Sequence, residues 1–73
     1  MGITPYEQLA NAIVEQAAKD WRDAVNRLGK DASNRRAQAI RLETESFFVS
    51  DWFKALTGLD GRALLTKLKE EFA

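Results

Sequence analysis

From Tyr6 to Leu28 the apolar residues fall three or four positions apart, through Leu9, Ile13, Ala17, Trp21 and Val25. At about 100° per residue, that spacing paints one broad face of an α-helix and is incompatible with a strand. Trp21 lies near the middle of the face. The stretch TPYE in front of it matches a capping box, with Thr4 accepting from a backbone N–H and Glu7 reaching back. Pro5 occupies the first helical position, where its missing donor costs nothing. Gly29 is the expected C-terminal stop. A helix over 5–28 takes about a third of the 73 residues, so the remainder must cover its face.

That remainder also reads as helix. The linker GKDASN carries turn residues, with Asp31 or Ser33 as cap, and a second helix is expected near 34–49. Its main stripe is Ala37, Ile40, Thr44, Phe47 and Phe48, while Leu42 and Val49 fall on another side. Such a wide face suits a helix held between two others. Next comes FFVSDWF, holding four of the seven aromatic residues. If the second helix runs on through it, Trp52 and Leu56 stay near the main stripe and Phe53 points away, beside Leu42 and Val49. If Ser50 caps a new helix over 51–57, then Trp52, Phe53 and Leu56 turn inward together. Ser-Asp is a good start signal and favours the break. Gly58 ends that helix, Asp60 caps a last one over 60–72, and Leu59 with Leu64 forms a hydrophobic staple. The last stripe is Leu64, Leu65, Leu68 and Phe72. No repeat and no period-two segment occurs. The expectation is one all-α domain over 1–73, a small compact bundle of three to four helices.

Composition narrows the chemistry. Eleven basic and eleven acidic residues cancel, which speaks against a strongly basic nucleic-acid binder. There is no cysteine and no histidine, so disulfides, Cys/His metal sites and the commonest neutral-pH general base are absent. Neither a Gly-rich phosphate loop nor a nucleophile beside a base is present. Glu43 and Glu45 diverge on a helix and, with Asp51, make a poor Mg²⁺ or Ca²⁺ site; the DG pair at Asp60 lacks the other ligands of a calcium loop. No enzyme, cofactor or metal is expected. No apolar run approaches the ~20 residues of a membrane span. The N-terminus has no signal-peptide pattern, and the reading is a cytoplasmic protein without a membrane partner.

Binding is the remaining class, and several features bear on it. Large aromatics in so short a chain are ordinarily core, since a small domain has little else to bury. Phe47, Trp52 and Leu56 take that role. Leu42, Val49 and Phe53 are the apolar residues the main stripe leaves over, and they are the candidate partner-binding patch. Charges on the first helix, Glu15, Lys19, Asp23 and Arg27, read as a solvated face. Between Lys19 and Arg41, seven basic residues face three acidic ones, a local +4. Lys30, Arg35 and Arg36 cluster at the first linker, as a basic loop or a contact to phosphate or an acidic protein surface, with Lys30 and Arg36 also placed to rim the patch. The pair SDWFKALT and RALLTKLKEEF has helix-turn-helix lengths, with Arg62, Thr66 and Lys69 outward, though Glu70 and Glu71 oppose DNA.

Two resemblances complete the reading. LDGRALL resembles the short DG-x-x-LL stretch of sterile-alpha-motif interaction domains, over seven residues and without that family's five-helix pattern. AIVEQAAKDWRDA, ETESFFVSDWF and LTGLDGRALLTKLKEE, from Ala12 into the last helix, resemble small uncharacterised helical proteins of phages and integrated mobile elements of Gram-positive gut bacteria. FF-x-SDWF and LT-x-x-DG are the recognisable core of that group. This resemblance implies a context in which small proteins bind and block host machinery, nuclease complexes of CRISPR–Cas systems included. It carries no residue roles. The expected function is therefore a non-enzymatic module binding a host protein. A small DNA- or RNA-binding accessory protein is second, and a homodimerisation module third.

Overall fold

The structure, a computed structural model, describes residues 4–71. Four helices follow in order: α1 (Pro5–Lys30), α2 (Arg35–Phe48), α3 (Asp51–Thr57) and α4 (Gly61–Glu70). Among the described residues all regular structure is helical, as expected for the small all-α bundle. The expected contribution of Phe72 lies outside the described residues. At about 1.5 Å per residue, α1 is ~39 Å long and sets the long axis of a 45 × 21 × 19 Å molecule.

The punctuation is mostly where the residues called for it. Thr4 Oγ1 accepts from Glu7 N–H at 3.1 Å, and Pro5 opens the helix. Ser50 breaks the chain after α2: its Oγ accepts from Phe53 N–H at 3.1 Å and donates to the Phe47 carbonyl at 2.7 Å. Gly58, at φ 69°, closes α3 in the left-handed conformation that favours glycine. Asp60 Oδ1 then accepts from the N–H groups of Arg62 and Ala63.

The first linker departs from expectation. Helix α1 does not stop at Gly29 but continues to Lys30, with an extended Asp31 as its cap. The reason is local. Asp31 Oδ1 accepts from both the N–H and the hydroxyl of Ser33, at 3.0 and 2.7 Å. That turn ends the helix without a left-handed glycine and occupies both residues expected to cap α2. Asn34 caps α2 instead, accepting from Ala37 N–H at 3.0 Å.

Helices α1 and α2 form an antiparallel pair, the main contact of the fold. α3 crosses one end of the pair, and α4 packs back on α2. The core joins Ala18 and Trp21 of α1, Phe48 of α2, Phe53 of α3, and Leu65 and Leu68 of α4. Phe47, Phe48 and Phe53 meet edge-on or tilted, with ring centroids 5.4–5.8 Å apart. Gly61 is buried at the start of α4, close against the Phe48 carbonyl; any Cβ there would collide with that backbone.

Candidate interaction groove

The break at Ser50 decides which aromatic is presented. In α3 the inward positions are Phe53, Leu56 and Thr57, three and four residues apart. Phe53 is fully buried, so it is not the exposed anchor the sequence proposed. Trp52 sits one residue, about 100°, around the helix. It is 61% exposed rather than core. Its ring leans edge-on against Phe47, with centroids 5.5 Å apart. Phe47 and Leu56 are half-buried.

Trp52 forms one wall of an open groove of about 330 Å³ between α1 and α2. Ile13 and Ala17 of α1 face Thr44 and Phe47 of α2 along it, with Gln16 at the edge. Asp20 and Glu43 are the charged residues lining this end. Asp20 accepts from Gln16 Nε2 at 2.8 Å. Among the described residues neither acid takes part in an ion pair. A second crevice, sharing Asp20, Glu43 and Thr44 with it, lies towards the first linker and is lined by Asp23, Ala24, Ile40, Arg27 and Arg36. One face of the α1–α2 pair thus runs from apolar through acidic to basic.

The predicted patch of Leu42, Val49 and Phe53 does not form. It required one continuous helix, and Ser50 turns Phe53 into the core. Leu42 and Val49 remain exposed on the side of α2 opposite Ala37, Thr44 and Phe48. Lys30, Arg35 and Arg36 are all exposed at the opposite end of α2. Arg36 and Val49 are thirteen residues apart, about 20 Å of helix, so the basic cluster does not rim the leftover apolar residues. Leu59, the expected staple, is 53% exposed beside Val49. The sequence missed Trp52 and the acids beside it. The i, i+4, i+7 spacing of Ile13, Ala17 and Asp20 was the available signal.

A larger crevice, about 470 Å³, lies around the α3–α4 turn. Its charged lining is balanced, Asp51 and Asp60 against Lys54 and Arg62, and the Asp60 carboxylate is committed to capping α4. It offers mostly backbone and polar surface, with no apolar anchor equal to Trp52.

Other polar features are structural. Glu45 is held from three sides: Trp21 Nε1 donates to it at 3.0 Å, Arg41 Nε stands 3.8 Å away, and Lys69 Nζ 3.9 Å away. Arg22 forms a two-pronged pair with Glu71, at 2.9 and 3.0 Å. That contact lowers the Glu71 pKa and raises that of Arg22, chiefly through the hydrogen bonds. Asp31 is lowered by its bonds from Ser33. No group of three His, Cys, Asp or Glu able to hold a metal occurs among the described residues. No helix among them is long and apolar enough to cross a membrane.

Comparison of the chain with protein-family models, curated proteins and solved structures finds no match.

Proposed function

We propose that this protein is a non-enzymatic protein-binding module that grips its partner through the Trp52 groove. The observation that carries the reading is Trp52, 61% exposed in a domain short of core. A chain of this size buries only about 60% of the surface its unfolded form exposes. Leaving one of its two tryptophans outside therefore forgoes stability. Tryptophan is the residue type most enriched at binding hot spots, where one wide ring against an apolar floor carries much of the energy. Here the floor is supplied by Phe47, Ile13 and Ala17. Leu42, exposed on α2, and Val49, exposed at its C-terminal cap, have no ring packed beside them and are ordinary surface apolar residues by comparison.

Together with the phage-like FF-x-SDWF and LT-x-x-DG stretches, this supports a mobile-element protein acting in the host cytoplasm by occupying a host protein, a CRISPR–Cas nuclease complex being the most concrete target. The test is expression of the chain in a CRISPR-immune host challenged with targeted phage. Restored plaquing that is lost in Trp52→Ala supports the reading. Plaquing unaffected by Trp52→Ala sinks it.

The second reading, nucleic-acid binding, rests on Lys30, Arg35 and Arg36, exposed together and without ion pairs among the described residues. It requires affinity that falls steeply with salt and disappears when all three become alanine.

A further inference from the structure

We infer that the partner of this groove is a basic amphipathic helix, one with an apolar anchor and a Lys or Arg about seven residues along from it. The inference rests on the binding role just proposed and adds the chemistry of the partner.

Shape argues for a helix. Two crevices that share Asp20, Glu43 and Thr44 lie end to end between the antiparallel helices from Ile13 to Arg27, fourteen steps of rise, about 21 Å or four turns. A third helix laid in such a slot places its side chains between those of the pair, as in helix-in-groove recognition.

Charge argues for a basic one. Ile13, Asp20 and Arg27 succeed one another at intervals of seven along α1, two turns or about 10.5 Å each. The apolar end is bordered by Asp20 and Glu43, and no cation lines that end. A docked helix with its anchor on Trp52 and Phe47 therefore carries the inward-facing side chain two turns along over two carboxylates. Covering those carboxylates with an apolar or acidic residue would strip their water without replacement. A Lys or Arg replaces it, and the long stem of either covers the apolar floor beside the acids. Two helical turns beyond Asp20, Arg27 and Arg36 outnumber Asp23, which makes a second cation less favourable there and sets the direction in which the helix lies.

The probes are two synthetic fourteen-residue helices with the same leucine pattern, one with lysine and one with glutamate at the polar positions. Binding is read by fluorescence anisotropy of the labelled peptide at physiological salt, with circular dichroism confirming that each variant is folded. The lysine peptide should bind, and the glutamate peptide should not. Trp52→Ala and the double variant Asp20→Asn/Glu43→Gln should each weaken the lysine peptide by about tenfold or more. Neutralising Glu15 and Asp31, which lie outside the groove, should leave it unchanged. Equal binding of both peptides, or an effect of the Glu15/Asp31 variant as large as that of Asp20/Glu43, overturns the inference. If Trp52→Ala abolishes binding while Asp20→Asn/Glu43→Gln does not, the groove is a binding site but its partner is not selected by charge. If neither peptide binds and the protein instead associates with itself through Trp52, the occupant is a second copy and the inference fails.

Discussion

The indole N–H of Trp21 donates to the Glu45 carboxylate at 3.0 Å, tying the inner part of α1 to the last turn of α2. The ring is only 3% exposed, yet its one polar atom meets an acid that also faces Lys69 and Arg41. A large aromatic is thus accommodated without stranding its donor. Trp21→Ala should cost about 3–5 kcal/mol, most of a small domain's stability. Trp21→Phe keeps much of the ring and should cost about 1–3 kcal/mol, part of it the hydrogen bond to a charged acceptor. Urea unfolding of both variants measures this. A Trp21→Ala protein melting within a few degrees of the parent would contradict the burial.

Trp52 and Phe53 are neighbours with opposite roles, and alanine substitution should separate them sharply. Phe53→Ala empties a site bounded by Phe47, Phe48 and Gly61 and should cost about 3–5 kcal/mol. Trp52→Ala should change stability by less than about 1 kcal/mol while weakening binding. Thermal melts followed by circular dichroism decide it. The reverse ordering would mean that α3 does not begin at Ser50.

Gly61 and Gly29 should respond to alanine with opposite signs. At Gly61 the new methyl meets the Phe48 carbonyl, which is backbone and cannot swing aside. A loss of about 1–3 kcal/mol is expected. Gly29 lies inside α1 with open space around it, so alanine there should stabilise by about 0.5–1 kcal/mol. Denaturant midpoints of the two variants test both signs.

The Arg22–Glu71 pair should leave a signature in acid. Its hydrogen bonds lower the folded-state pKa of Glu71, so stability rises with pH wherever the unfolded chain holds that proton and the folded chain does not. The contribution is present above the ordinary glutamate pKa, about 4.3, and fades as pH falls through the lowered folded value. Both side chains are about half exposed, at 43% and 50%, so solvent and salt keep the effect small. Glu71→Gln should therefore be slightly less stable than the parent near neutral pH, with the gap closing in acid. Paired melts across that range check the direction. A gap that widens in acid would rule the pair out as its source.

Ser50 and the linker residues show how far local chemistry reaches. Ser50, Asp60, Gly58 and Thr4 act on N–H and carbonyl groups within four residues of themselves, so their roles in ending and starting helices were readable in order along the chain. So was the face carrying Trp21, because periodicity within one helix needs no knowledge of any other. Gly29 misled because the Asp31 side chain accepts from both Ser33 groups, a competing turn that ends the helix two residues later. The sequence by itself thus determined the four helices, their approximate limits and the central burial of Trp21. Tertiary structure alone decided that Phe53 goes in and Trp52 stays out. That choice depends on the direction α3 takes from Ser50, which is set by the approach of Gly61 to Phe48 and the space left beside α1. It also decided that Asp20 and Glu43, twenty-three residues apart, border one apolar slot. Which surface faces a partner is a property of how helices pack, and no single helix carries that information.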